Sequence, residues 1–538
     1  MIAARFDDLT PGSERSFRLV RPLGEIRADR PEDVPGALDE VDGAVRAGRW
    51  AGGFVTYEAA AGLDPALEVL SPPPDGPFAQ LPLLWFGVFG GREEVPSPAP
   101  PAAGARQAPP AWTPSIDRPR YDAAIRAIRE RIAAGDTYQV NHTFRLRGDV
   151  DGDEDDLYRD LCLAQRGAYA AHLSLGRYAV LSASPELFFE LAGGRIVTRP
   201  MKGTIPRGRW PQEDREAARR LSGSAKDRAE NAMIVDLLRN DLGRVARAGT
   251  VRVDRLFEAE RYETVWQLTS TISAQLRATT SLRDVFAALF PSGSVTGAPK
   301  VATMRLIREL EDSPRGVYCG AVGWLGPGGG RGLRATFNVA IRTVVLDRRS
   351  GTAEYGVGGG ITYDSSAAGE YVEALAKARV LTARRPAFEL LETIRCQAGG
   401  GFRHPEEHLA RLAGSAAYFG FRLDPRDLHV ALEKARAELG GAEGIVRLLV
   451  ARDGALRAEV RPAPPEPPGP VRVAVDPDPV DPTDVWLYHK TTLREPYDRR
   501  RRARPDVDDV LLVNTRGEVT ESCVANVAVR LAEGWVTP

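Results

Sequence analysis

Two proline-rich runs cut this chain: VPSPAPPAAGARQAPPAWTP at residues 95–114 and RPAPPEPPGP at residues 461–470. Proline fixes φ and has no amide hydrogen to give, so neither run can lie in a helix interior or a central strand. Both therefore read as extended connectors. A chain of 538 residues is in any case too long for one core. A softer break falls at residues 384–386, where LTARRPAFELLETIR passes from a helical to a strand-like pattern. The expected division is 1–110, 111–384 and 385–538.

Between the breaks, RYAVLSAS, GRIVTRP and FNVAIRTVVL alternate or carry β-branched residues as strands do. YDAAIRAIRERIAAGD, AENAMIVDLLRND and AAGEYVEALAKARVL repeat their apolar positions at helical spacing. The two kinds do not alternate strictly, which favours an α+β fold over a doubly wound sheet. A net charge of -1 leaves no basic footprint for nucleic acid or an acidic membrane. No apolar run approaches the ~20 residues of a membrane span, and MIAARFDDLTPG lacks the apolar stretch of a secretory signal. The cysteines Cys162, Cys319, Cys396 and Cys523 are far apart and form no CxxC pair, so neither a zinc site nor a disulfide framework is expected. The expected compartment is the cytoplasm.

Lysine is scarce: six residues against sixty-six arginines. Unlike arginine, lysine can lose its proton when buried and act as a nucleophile. RPMKGTIPRG places one, Lys202, between a proline and an expected Gly-Thr turn. No histidine occurs between His172 and His404, so acid–base chemistry across that span falls to carboxylates, lysine, tyrosine or water. In KDRAENAMIVDLLRND, Asp227 and Glu230 lie three residues apart and share a helix face. In GEYVEALAKA, Glu370 and Glu373 do the same, with Lys377 one turn on. Two such pairs across a cleft would supply hard oxygen ligands for Mg²⁺, with water completing the shell. The same spacing suits two salt-bridged surface helices, and spacing alone leaves both open. FPSGSVTGAPK runs into a helix and YGVGGGITYDS precedes one; turns of this kind offer backbone amides to a carboxylate or phosphate. Arg342, closing FNVAIR, can pair bidentately with a carboxylate.

Taken in order, SASPELFFE, RPMKGTIPRG, AENAMIVDLLRNDLGRV, FPSGSVTGAPK, YCGAVGWLG, FNVAIRT and YGVGGGITYDSSAAGEYVEALAKA resemble the motifs of the chorismate-utilising enzymes, over about residues 10–384. The resemblance implies a two-domain α+β fold with a deep cleft. It implies Glu230 and Glu373 as direct Mg²⁺ ligands, with Asp227 and Glu370 acting through bound water and the metal gripping the ring carboxylate of chorismate. Arg342, Tyr318 and the backbone of Gly358, Gly359 and Gly360 would hold the enolpyruvyl carboxylate. Thr296 and Gly297 would line the ring. Family members that form anthranilate carry a small residue in place of Lys202, whereas those that aminate chorismate at C4 carry lysine. That branch implies a covalent route, with Lys202 as a nucleophile that must be neutral to attack and Glu186 as general acid. Members that add water use a lysine base in the region where this chain reads GDTYQVN and carries Gln139. A histidine common in the family is Gln267 here, in TVWQLTS, which can hydrogen-bond but cannot shuttle a proton. No cysteine has a glutaminase setting, so ammonia is expected from a separate glutamine amidotransferase subunit.

The last segment holds VWLYHKTTLREPYDRRRR at residues 485–502, with a second scarce lysine, Lys490. Together with EEHLARLAGSA and GEVTESCVAN it resembles the fold-type IV pyridoxal-phosphate enzymes, the 4-amino-4-deoxychorismate lyases among them. The resemblance implies a partial D-amino-acid aminotransferase-like domain. Lys490 would form the Schiff base, with Tyr497 nearby, Arg411 on the phosphate and Glu521 on the pyridinium nitrogen, so that pyridoxal phosphate acts as an electron sink. The chain ends at GWVTP, where lyase sequences run on, so an incomplete domain is expected. A synthase feeding such a lyase would yield 4-aminobenzoate; without cofactor the segment would be an interaction module.

Overall fold

The computed structural model describes residues 2–100, 110–329, 332–382, 386–399, 401–465, 468–532 and 534–537. Residues 101–109 of the first proline-rich run, and residues 384–385 of the expected break at 384–386, lie outside this set. The chain divides into two compact units, Met1–Pro206 with Ala218–Arg385, and Arg207–Ala217 with Pro386–Pro538. The fold is α+β.

In the first unit, eighteen strands among the described residues join into one antiparallel network. One run of neighbours passes from Tyr178–Ser184 through Thr343–Asp347 and Thr352–Ile361 to Gln139–Asp149. Another passes from Leu333–Val339 through Leu187–Ala192 and Arg195–Arg199 to Val265–Gln275 and Arg252–Arg261. Two neighbouring stretches of chain cross between these runs. Tyr178–Ser184 turns through Pro185 and Glu186 into Leu187–Ala192, and Leu333–Val339 turns through Ala340, Ile341 and Arg342 into Thr343–Asp347. Val339 N donates to Glu186 O and Ala183 N to Arg342 O, at 3.0 Å each, which pins the crossing. The strand expected over FNVAIRTVVL is therefore two strands, with Arg342 at φ 51° between them. A strand cannot stay straight where its partner changes sheet.

Helices bury the faces of this network. Ile234, Val235 and Leu238 of Ala225–Gly243 pack with Phe286, Phe189 and Phe337 in one core. Ile125 and Ile128 of Arg118–Ala133 and Ala374 of Ala367–Lys377 pack with Phe144, Tyr355 and Val357 in a second. Serine caps start the two acidic helices: Ser224 Oγ accepts from Asp227 N and Ser366 Oγ from Gly369 N, at 3.2 Å each. That capping fixes which faces carry Asp227, Glu230, Glu370 and Glu373.

The second unit has an antiparallel sheet of Leu390–Cys396, Gly444–Val450 and Leu456–Pro462. Leu412, Phe419, Leu428 and Leu432 of two helices cover Ile394, Val446 and Leu448. A smaller sheet sets Val473–Val475 parallel to Asp509–Val513, which pairs antiparallel with Val519–Ser522. The inserted Arg207–Ala217 belongs to this unit: Tyr418 Oη donates to Gly208 O at 2.7 Å, and the Trp210 and Tyr488 rings lie 5.1 Å apart. All four cysteines are free and buried. Among the described residues, no helix is long and apolar enough to cross a membrane.

Candidate active site

Where the first unit's strands cross, a cavity of about 360 Å³ opens. Lys202 enters it from Met201–Pro206, which is a strand and not the expected turn. Its amine lies 3.3 Å from Glu230 Oε2, and the side chain is 15% exposed. Glu186 enters from the crossing itself. Its residue is 4% exposed, and Oε1 has no hydrogen-bond partner among the described residues. Burial pushes its pKa up to about 7, against smaller opposing pulls from Ser294, the Met201 backbone and Lys202. A carboxyl of this kind holds its proton near neutral pH and has an oxygen free to deliver it.

Both acidic helices line the same cavity with Asp227, Glu230, Glu370 and Glu373. The two pairs thus share one cavity, and lysines pair with them as on salt-bridged surface helices. Lys377 Nζ lies 2.9 Å from Glu373 Oε1 and donates to Gly358 O at 2.9 Å. Lys226 Nζ stands 3.9 Å from Glu230. Lys377 holds the Glu373 pKa below its usual range, whereas burial raises that of Glu370 despite a 2.6 Å hydrogen bond from Ser365 Oγ. Among the described residues no three acidic, histidine or cysteine side chains stand together as a ready metal cage. Four carboxylates around one cavity are still the donor chemistry of a hard divalent cation that keeps water in its shell. The set fits such an ion, with water completing its shell.

The other side of the cavity suits an anion. Arg342 points into it from the crossing, with Nη1 donating to Gln165 Oε1, and burial lowers its pKa. Tyr318 lines the wall, and burial raises its phenol well above the usual value. The glycine run expected as a turn is the strand Thr352–Ile361. It pairs with Gln139–Asp149 along its whole length, but with Thr343–Asp347 only as far as Tyr355. Beyond Tyr355 one edge is left open, and Gly356–Gly360 form the cavity wall there. Gly356 leaves no room for a side chain, and Gly360 leaves little. A Cβ on Gly356 would enter the Tyr318 ring, and one on Gly360 would sit 2.5 Å from Lys202 Nζ and 2.6 Å from Gln139 Nε2.

Thr296, Gly297 and Gln139 stand behind the wall, which is formed at that point by Asn141, Ser294 and Val295. Gln139 is fully buried, and neither of its amide atoms has a partner among the described residues. Gln267 does line the cavity, with Oε1 accepting from Thr204 Oγ1 at 3.0 Å. Sequence reasoning missed Lys226, Thr204 and Ser294. Lysine scarcity was a usable signal for the first, since three of the six lysines reach this cavity.

In the second unit the expected residues form two groups. Arg411 donates to Glu392 Oε1 and Oε2 at 2.6 and 2.7 Å, and His408 meets Oε2 at 2.8 Å. Lys490 stands with this pair; burial lowers its pKa, opposed by Glu392 and reinforced by Arg411. Glu521 instead accepts from Tyr497 Oη at 2.8 Å, and burial raises its pKa. A desolvated lysine and a buried carboxyl suit the two ends of a pyridoxal ring, but Arg411 is taken up by Glu392 and not free for phosphate. The residues as placed do not complete that cofactor's site.

The first unit's fold and cavity define a chorismate-binding class of protein: the chain belongs to the chorismate binding enzyme family, whose profile matches residues 16–383. Residues 389–538 match the amino-transferase class IV profile. Aminodeoxychorismate synthase component 1 of Salmonella typhimurium is 43% identical over 267 residues, 50% of this chain and 58% of that protein. Anthranilate synthase component 1 of Streptomyces coelicolor is 42% identical over 279 residues, 51% of this chain and 53% of its own. The crystal structure of anthranilate synthase component I from Streptococcus pneumoniae superposes with a TM-score of 0.60 at 27% identity, covering 69% of this chain and 93% of that one. The chain thus spans little more than half the length of the curated relatives it matches.

Proposed function

We propose that the first unit is an aminodeoxychorismate synthase, converting chorismate and ammonia to 4-amino-4-deoxychorismate for 4-aminobenzoate and folate synthesis in the cytoplasm. One observation carries this reading: Lys202 and a Glu186 carboxyl with a pKa near 7 share one cavity with an anion-binding wall. Arg342, Tyr318 and the open glycine edge orient the substrate's carboxylate. The Lys202 amine attacks ring carbon C2 as the C4 hydroxyl departs, taking the Glu186 proton and leaving as water. Ammonia then adds at C4 and expels the lysine from C2, so the enzyme is regenerated. Glu230 and Glu373, with Asp227 and Glu370 through water, would hold Mg²⁺, which neutralises the second carboxylate of the substrate. A glutamine amidotransferase subunit is the proposed source of ammonia. Residues 1–110 and 111–384 are proposed to share this task, and residues 385–538 to form a lyase-like module.

Anthranilate synthase is the second reading, supported by relatives of that name at similar identity. Product analysis separates the two. With chorismate, Mg²⁺ and ammonium, 4-amino-4-deoxychorismate is the expected product, and anthranilate would overturn the role given to Lys202. With pyridoxal phosphate added, 4-aminobenzoate would assign lyase activity to the second unit.

A further inference from the structure

The strand that carries Lys202 is irregular at the lysine. Met201 pairs with Thr269 and Thr204 with Gln267, so Lys202 and Gly203 together face the single residue Leu268. That is a β-bulge. Gly203 takes φ 103°, and a Cβ there would come within 3.0 Å of Asp227 Oδ1. A bulge removes backbone groups from the ladder, and buried ones need another partner. Asn231, with no exposed surface, supplies it. Its Nδ2 donates to Lys202 O at 3.3 Å and to Leu268 O at 3.1 Å. Its Oδ1 accepts from Ser270 Oγ at 2.6 Å, and Ser270 Oγ in turn accepts from Phe257 N at 3.1 Å. Phe257, at φ 58°, lies within a second irregularity, between Arg255 and Glu258. One buried amide therefore ties both irregular strands to the helix Ala225–Gly243, in which the neighbouring residue Glu230 meets the lysine amine.

We infer that Asn231 is a positioning residue that holds the bulged register pointing Lys202 into the cavity. Strand side chains alternate, so a slip of one residue toward a regular ladder would turn residue 202 to the other face. Two carbonyl oxygens face Nδ2, which also fixes the amide's orientation: an aspartate there would set oxygen against oxygen. The importance of Lys202 rests on the function proposed above, so the test includes a reading that needs no chorismate.

The experiment compares full-length wild type, Asn231→Ala, Asn231→Asp and Ser270→Ala. One reading is ammonium-dependent turnover. The other is the rate at which trinitrobenzenesulfonate labels Lys202, followed by peptide mass with Lys434 as internal reference. Misplacing a reacting group by about 1 Å costs on the order of 10²-fold. The expected kcat loss is thus roughly 10- to 100-fold in Asn231→Ala and larger in Asn231→Asp, with a smaller loss in Ser270→Ala. The KM for chorismate should stay within about threefold, because the anion wall is untouched. Lys202 labelling should change severalfold while Lys434 labelling holds. If Asn231→Asp does not fold, Asn231→Ala and Ser270→Ala carry the test. Wild-type labelling of Lys202 in folded Asn231→Ala would overturn the inference, as would a parallel fall in kcat and rise in KM accompanied by early melting. If wild type makes no 4-amino-4-deoxychorismate, the function fails but the labelling still decides the role of Asn231.

Discussion

Lys202 and Lys490 are two scarce lysines with opposite surroundings. Lys202 reaches an open cavity where Glu186 Oε1 makes no hydrogen bond among the described residues, nor does the Gln139 amide behind the wall. Lys490 stands beside Glu392, which is already claimed by Arg411 and His408. Unmade hydrogen bonds in a buried site are costly and mark places where a ligand completes the structure. Satisfied networks mark places where the protein completes itself. The comparison teaches that lysine scarcity located both sites, but only the state of their neighbours separates a poised site from a closed one.

The largest effect expected falls on the first lysine. Lys202→Ala should lower ammonium-dependent turnover on the order of 10³-fold or more, with folding retained. Near-wild-type turnover would break the comparison, because the poised site would then work without its nucleophile. Glu186→Gln comes next, with a loss of roughly 10²- to 10³-fold. It has a second signature in stability. The Glu186 pKa is raised to about 7 from 4.5, so the folded state holds its proton more tightly than the unfolded chain does. That contribution is fully present below pH 4.5 and is lost as pH rises through 7. Between the low-pH limit and pH 8, unliganded wild type should therefore lose about 3 kcal/mol of stability relative to Glu186→Gln, allowing about 1.4 kcal/mol per pKa unit. Denaturant melts at pH 5 and pH 8 read this, and an equal gap at both pH values would refute it.

Much of the poised site was legible in the sequence. Asp227 with Glu230, and Glu370 with Glu373, read directly because a helix face repeats in sequence. The α+β class followed from the mixture of apolar periods. Three features did not read. Whether YGVGGGI is a turn or an open strand edge depends on which partner strands stop at Tyr355, a non-local fact. The split of FNVAIRTVVL depends on the crossing at Glu186, more than 150 residues away in sequence, where the local pattern carries no mark. Residues 207–217 join a unit formed mostly from the end of the chain, and no composition shift announces it. Local periodicity specifies elements; partners chosen across the chain specify their edges and breaks.

The closed region makes its own prediction through His489. Its Nε2 donates to Arg209 O at 3.1 Å, Nδ1 accepts from Ser415 Oγ at 2.9 Å, and Tyr418 and Phe419 pack on the ring. Burial lowers its pKa to about 4 from 6.5, with Arg209 O and Asp214 pulling the other way and Arg207 reinforcing burial. As pH falls below 6.5 the unfolded chain takes up a proton that the folded unit refuses until about pH 4. Stability is thus present above pH 6.5 and declines across that window by about 3 kcal/mol. Hydrogen exchange in the helix Pro405–Phe419 should accelerate between pH 7 and pH 4, after correction for the intrinsic pH effect, and His489→Gln should remove most of that change. A pH-independent protection would place His489 in contact with water.

The smallest effect sharpens the comparison most, because it asks whether the closed region can open. Arg411→Ala leaves Glu392, whose side chain is 1% exposed, with His408 and the Thr393 backbone amide. Losing hydrogen bonds to a charged group costs about 1.5–3 kcal/mol, and the lower end applies because the Arg411 side chain is 49% exposed and a neighbour remains. A network that is purely structural should show that destabilisation and no change in how Lys490 reacts with pyridoxal phosphate, read as the borohydride-fixed adduct at the Lys490 peptide. If wild type forms the adduct at micromolar cofactor and Arg411→Ala does not, Arg411 leaves Glu392 for the phosphate. The second lysine then belongs with the first as a poised group, held shut only until its ligand arrives.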